Sequence, residues 1–460
     1  MDIDANKIVL YGFGEGGRLM YDMYADKISI VAICDSFVDG DVQYKGVPVV
    51  KPEMLSDYEY DKVVIASTYV DDIKKNLAYV GVDDSVVMVY DVVSILVDKA
   101  FYDIFIMLEK YRVIIGGQLS QRSVAKHILY DDSYELNMFE GKLLYTYLLS
   151  KKMFSDAVFA RRYLQSIVVG SMVSSTDMLI QKILCFLDLG DYSKVIAAFK
   201  SHGFGSVEID VQNYLRLLHA MYIGNREYIL SLIVGYRKDD QLFCDLVADK
   251  IVAFVGPCEV YEESGVEIDA CDCVVRMFTS LTDNDNSKYI GSKTDIIYVS
   301  GNKINTAKTE NLDLLDEDVF FVFEKQALEL DALKLEVLPN KKRMTLLKVK
   351  EELFNGACNG MQRILIDLLM CGVKNVKVYN FDLFASDVWY KKSVVDFYDD
   401  DSYAENKILN SQAVFHDFMS QFNFCKALWH AGFILPDMRL AEVLSCSQEE
   451  YYKRLQCSFS

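Results

Sequence analysis

The chain has 460 residues, 52% of them hydrophobic and 25% charged, a balance that supports buried cores and excludes a disordered or collagen-like polymer. Its formal net charge of −20 argues against nucleic acid as a partner and against electrostatic docking on anionic lipid. There is room for about two to four domains.

No N-terminal stretch joins a basic start, an apolar run and a small-residue cleavage site, and no apolar run reaches bilayer length. The expected location is cytoplasmic, without a transmembrane segment. The 11 cysteines are scattered, with no C-x-x-C pair, which fits free thiols in a reducing compartment. Cys271 and Cys273 flank Asp272, but no second pair accompanies them; no zinc site, and no other metal, is expected.

In the first 95 residues, KIVLYG reads as a strand, Gly12-x-Gly14-x-x-Gly17 follows at once, Arg18–Tyr24 forms an amphipathic helix, and ISIVAICD is a second strand ending in Asp35. This is the context of a dinucleotide fingerprint, with an acidic residue about twenty positions beyond the glycines. No Tyr-x-x-x-Lys or His/Asp pair follows, so hydride transfer and a bound NAD are not expected. The segment resembles the small Rossmann-like domain at the N-terminus of polysaccharide-biosynthesis enzymes. It is either a nucleotide or nucleotide-sugar site built on Gly12, Gly14, Gly17 and Asp35, or a structural and partner-docking module.

Over 96–248 the strand signal gives way to helical periodicity. Three helical pairs are expected: Leu136–Leu149 with Met153–Leu164, Met178–Leu189 with Tyr192–Phe199, and Val211–Ile223 with Tyr228–Val234. Their spacing of about 35 to 40 residues is near that of tetratricopeptide arrays. The segment is either such a scaffold or a helical spacer.

Residues 249–460 return to strands. Ile251–Val255 and Ile296–Val299 suit parallel strands buried on both faces, and ligands of such sheets sit at the strands' carboxyl ends. Gly256 ends the first strand where a backbone could approach a phosphate. Arg276, inside another strand, either pairs with Asp272 or Asp295 as a clamp or binds an anion. From Asn359-Gly360 an amphipathic helix, MQRILIDLLMCGV, leads to a strand at Val376–Phe381; amides at its start favour a phosphate. Asp283-Asn284-Asp285 and Lys341-Lys342-Arg343 read as solvated loops.

The run V-G-P, I-D-x-x-D-x-V-V-R-M and Y-I-G-S-K-T-D, in that order, resembles the large motif of animal-type sialyltransferases and their bacterial relatives. Asn359-Gly360 with the helix and Tyr379-Asn380-Phe381-Asp382 resembles their small motif, a Ser/Thr-Gly turn, helix and strand ending in a Tyr-Gly-Phe-like element. His416 followed five residues on by Gln421 resembles the very short motif, where Glu stands at the second position. Pro257, Phe278, Asn359 and Gln421 depart from the family's Asn, Asn, Ser/Thr and Glu.

The resemblance covers roughly the last 210 residues and implies a C-terminal Rossmann-like sialyltransferase-type domain over 249–460; with the patterning above it completes an α/β architecture of an N-terminal Rossmann-like domain over 1–95 and an all-helical, tetratricopeptide-like or spacer region over 96–248. It implies a metal-independent, cofactor-free inverting glycosyltransferase acting in capsule or lipopolysaccharide synthesis. A CMP-activated acidic keto-sugar, whether sialic acid, another nonulosonic acid or Kdo, would pass to an oligosaccharide or lipid-linked glycan, with peripheral association with the assembly machinery. Gly256, Pro257, Arg276, Lys293, Thr294, Asn359 and Gly360 fall on the donor motifs.

An inverting transfer needs a base at the acceptor hydroxyl, and imidazole is poised for it at neutral pH. Of five histidines, His127, His202 and His219 lie in the helical region and His430 in an amphipathic run. His416 remains as the expected base, with Asp417 either orienting it or capping the next helix. The other reading is a non-catalytic nucleotide-binding scaffold of a polysaccharide-assembly complex.

Overall fold

The computed structural model describes residues 6–38, 41–67, 70–90, 92–115, 119–131, 133–231, 238–258, 262–277, 287–299, 319–323, 342–345, 358–385, 413–414 and 416–458. Phe278, Asp283-Asn284-Asp285 and Lys341 lie outside them. The chain is α/β and divides into two compact units, Met1–Tyr134 and Glu135–Ser460.

The first unit runs β1 (Lys7–Tyr11), α1 (Glu15–Tyr24), β2 (Ser29–Cys34), β3 (Val42–Tyr44), β4 (Val47–Val50), β5 (Lys62–Ile65), α2 (Val70–Tyr79), β6 (Val87–Val89), α3 (Val92–Ile115) and α4 (Gln121–Tyr130). Its sheet has the order β3-β4-β2-β1-β5-β6 and is parallel except at the β3 edge. Alternation along β1 explains the continuous apolar text. Ile8 and Leu10 pack with Met20, Tyr24 and Ile95 on one face, while Val9 and Tyr11 pack with Leu55, Ile73 and Leu77 on the other.

Among the described residues the second unit opens with the α-helices α5 (Met138–Ser150), α6 (Phe154–Gly170), α7 (Thr176–Asp188), α8 (Tyr192–Phe199), α9 (Ile209–Tyr222), α10 (Arg226–Ser231) and α11 (Lys238–Val247). The sheet follows: β7 (Val252–Val255), α12 (Gly265–Asp269), β8 (Cys273–Met277), α13 (Ser287–Ile290), β9 (Ile296–Val299), β10 (Phe320–Phe323), β11 (Lys342–Met344), α14 (Gly360–Met370), β12 (Val376–Tyr379), α15 (Phe418–His430), β13 (Ile434–Pro436), α16 (Met438–Ser445) and α17 (Gln448–Ser458). All its strand pairs are parallel, in the order β11-β10-β9-β8-β7-β12-β13. The order reverses between β7 and β12, which makes their carboxyl ends the switch point of the sheet.

The helical stretch expected over 96–248 is shared between the two units. α3 and α4 belong to the first, and α3 packs on α1. The later helices belong to the second, where α6 packs on α17 and α9 on α15. A buried polar network ties them there. Arg161 on α6 donates to Asp188 at 2.6 Å and to Asp417 at 3.0 Å, Tyr145 on α5 donates to Asp417 at 3.0 Å, and Asn423 on α15 donates to Asp188 at 2.7 Å. Periodicity marks each helix's apolar face without saying which element covers it.

The basic cluster read as a solvated loop is corrected at Arg343. It lies in β11, buried, its guanidinium 3.8 Å from the Phe243 ring centroid and ion-paired with Asp367 on α14. A planar cation buried this deeply is tolerated because a carboxylate and a ring face share its charge. Ten cysteines are buried, and Cys457 is exposed; all are free. Among the described residues, no helix is long and apolar enough to cross a membrane.

Candidate functional site

The residues expected to bind a donor fall at two edges of the seven-stranded sheet. The Gly-Ser-Lys-Thr-Asp turn, residues 291–295, lies just before β9, at the amino edge, and its polar groups are turned into the fold. Asp269 accepts from Ser292 N and Lys293 N at 2.9 Å each and from Ser292 Oγ at 2.9 Å. Partial burial pushes its carboxyl up, but those hydrogen bonds prevail and hold it below the usual range. Lys293 Nζ donates to the carbonyls of Cys271 and Asp272 at 2.8 Å and lies 3.4 Å from Asp295.

Arg276 is a clamp, closed on carbonyls rather than on Asp272 or Asp295. From β8 its guanidinium donates to Ile290 O at 2.7 Å, Lys293 O at 3.0 Å and Thr294 Oγ1 at 3.0 Å, and the residue is fully buried. Burial lowers its pKa to about 10, with Asp269 and Asp295 pulling the other way, so it stays charged at neutral pH. Asp272 instead accepts from Ile251 N at 2.9 Å, and Asp295 from Val274 N at 2.7 Å.

Gly256 is filled by the chain itself. A Cβ there would lie 2.4 Å from Asn380 O and 2.7 Å from the Phe381 ring, and its N–H donates to Tyr379 O at 2.8 Å. The glycine therefore lets β7 meet the segment after β12, a role distinct from phosphate approach. Pro257, next to it, is buried.

Asn359, Gly360 and His416 belong to the carboxyl edge. Each parallel crossover helix runs back from the carboxyl end of one strand toward the start of the next, so α14, before β12, and α15, before β13, both begin at that edge. Asn359 is the N-cap of α14 in a reciprocal capping box: its Oδ1 accepts from Met361 N at 2.9 Å, while Gln362 Oε1 accepts from Asn359 N at 3.1 Å. Its Nδ2 donates to Gln421 Oε1 on α15 at 3.0 Å. Gly360 packs where a Cβ would meet Met277 Cε at 2.7 Å, beside the carboxyl end of β8.

Asp417 caps α15, accepting from Met419 N at 3.1 Å, and is held by Arg161 and Tyr145. His416 precedes that cap and is half-buried. The two departures in the small and very short motifs, Asn359 and Gln421, thus touch each other and join the two helix starts. Gln421 Nε2 is buried with no partner among the described residues.

Sequence reasoning missed Asn380 and Asp437. Asn380, directly after β12, has φ 62° and is buried, and neither side-chain polar atom has a partner among the described residues. Its backbone N–H donates to Asp437 Oδ2 at 2.7 Å, and Asp437 also caps α16 through Leu440 N at 2.8 Å. Burial pushes the Asp437 carboxyl up to about 6, with both backbone donors opposing. Leu383 and Phe384 also have positive φ, 51° and 66°, so this edge carries unusual backbone strain. The usable signal was an Asn where the resembled motif has Gly.

In the first unit the fingerprint glycines do what their pattern requires. Gly12 has φ 114°, and a Cβ at Gly17 would lie 1.7 Å from Gly12 O, so only glycine lets α1 approach β1. Gly14 is the N-cap of α1 with no neighbour near its Cβ direction. Asp35 is engaged by the loop itself, accepting from Phe13 N at 2.8 Å and Phe37 N at 2.9 Å. Among the described residues, no group of three or more His, Cys, Asp or Glu side chains is placed to hold a metal ion.

A family model described as C2185-like, N-terminal, matches residues 4–88, the span of the first sheet. No curated protein and no solved structure matches the chain.

Proposed function

We propose that the second unit is a sialyltransferase-like inverting glycosyltransferase, moving a CMP-activated acidic keto-sugar to a sugar hydroxyl in surface-polysaccharide synthesis. The observation that carries this reading is the 3.0 Å contact between Asn359 and Gln421. It joins the start of α14 to the helix that follows His416, at the edge where parallel sheets take their ligands. The donor phosphate would approach the N-terminal end of α14, whose positive dipole end favours an anion although Met361 N is taken by Asn359 Oδ1. His416 would take the proton of the acceptor hydroxyl as its oxygen attacks the anomeric carbon and the bond to the CMP oxygen breaks.

Within this reading Arg276, Lys293 and Thr294 shape the sheet and do not hold the donor: Arg276 donates to the 290–294 turn, Thr294 Oγ1 accepts from Arg276, and Lys293 Nζ donates to the carbonyls of Cys271 and Asp272. The engaged Asp35 carboxylate supports the structural or docking alternative for the first unit, in the cytoplasm beside an assembly machinery. The test is CMP release from a panel of CMP-sugars with an oligosaccharide and lipid-linked acceptor mixture. His416→Ala should lower turnover of the folded protein by about 10²–10⁴-fold. Equal release from the variant removes His416 as the base, and no release or CMP binding by the wild-type protein favours the scaffold.

A further inference from the structure

We infer that the Asn380 carboxamide is a ligand-reading group at the β7/β12 switch point, which recognises the hydrogen-bonding edge of a nucleotide's pyrimidine base. The inference rests on the donor site proposed above and names a contact within it.

Three observations meet at this residue. The backbone is fixed from both sides: its N–H is held by Asp437 at 2.7 Å, and its carbonyl accepts from Cys258 N at 3.2 Å beside Gly256. The left-handed φ of 62° is therefore imposed by the surroundings, at a place where glycine would be the least strained choice. The side chain makes no hydrogen bond for the fold, since Oδ1 and Nδ2 are both buried without partners among the described residues, and Asn380 is only 2% exposed. An Asn in a glycine position that leaves both polar atoms idle costs stability twice, through backbone strain and through desolvation.

The idle atoms state the chemistry of what would pair with them. A carboxamide offers an acceptor and a donor side by side in one plane. A phosphate or carboxylate brings only acceptors and would leave Oδ1 bare. A base edge that sets a donor beside an acceptor satisfies both atoms at once, as amide side chains do with adenine elsewhere; the CMP donor proposed above makes that edge cytosine's amino group and ring nitrogen. The position agrees, because the first strand and its reversed neighbour meet there.

The test measures binding of CMP, UMP, AMP, GMP and ribose 5-phosphate by calorimetry to the full chain and to Asn380→Gly, a change that keeps the positive φ unstrained. The variant should melt at the same or a higher temperature than wild type and bind CMP about 10- to 100-fold more weakly, while ribose 5-phosphate binds both alike. Equal CMP affinity in both proteins overturns the inference and leaves the donor site standing. A preference for UMP that the variant loses supports the base contact and overturns the CMP donor. If no base-containing nucleotide binds the wild-type protein, both fail.

Discussion

The two edges of the seven-stranded sheet use similar residues to opposite ends. At the amino edge nearly every polar group is spent on the chain: Asp269 caps the 291–295 turn, Lys293 ties two carbonyls, and Arg276 closes on the same turn with only Nη1 unpartnered among the described residues. At the carboxyl edge Asn380 has both side-chain polar atoms idle and Gln421 has one, beside residues with positive φ. Saturated polar groups make a scaffold. Unsatisfied, buried ones cost stability and gain a purpose only when something else completes them. In the proposed function the 291–295 motif is thus the frame, and the proposed ligand-binding part lies at the other end of the strands.

The sharpest way to break this contrast is to remove a saturated group. Asp269→Ala strands the Ser292 and Lys293 amides and should cost about 2–3 kcal/mol in urea unfolding, with CMP affinity of the folded protein unchanged. A lost affinity at full stability would erase the distinction between the edges. Asn359→Ala sits on the other side. Loss of the cap should cost only about 1 kcal/mol, yet the Gln421 contact goes with it, so the donor KM should rise well beyond what that loss implies.

The smallest effect is a matter of pH. The Asp437 carboxyl titrates near 6 in the fold against 3.8 ordinarily, chiefly because burial disfavours its charge. A raised carboxyl pKa means the folded state takes up a proton first as pH falls. The cost of the buried charge is present at pH 7 and is relieved through pH 6 toward 4. Wild type should therefore gain melting temperature relative to Asp437→Asn between pH 7 and 5, by at most a few degrees. A constant difference across that range would show that burial does not raise the Asp437 carboxyl's pKa.

Much of the fold was legible. The expected strands at Ile296–Val299 and at the start of the chain, and the helix after Asn359, appear nearly where periodicity put them, because buried parallel strands and amphipathic helices write their environment into short runs. The glycine fingerprint was legible for the same local reason, since Gly17 fits one close contact. The partners of the middle helices were not legible. Arg161 meets Asp417 across 256 positions of chain, and no local pattern reports such a pair. Arg343 was misread because a run of basic residues looks solvated until a carboxylate such as Asp367 is placed beside it.

By itself the sequence determined the α/β class, the change from strands to helices and back, the glycine-dependent turn of the first sheet and the motif order along the second. These follow from short-range sterics and burial, which act over a few residues. Tertiary structure alone decided which motif residues are spent and which are idle. Whether Arg276 or Asn380 has a partner depends on what the fold brings within about 3 Å, and the residue type alone does not carry that information.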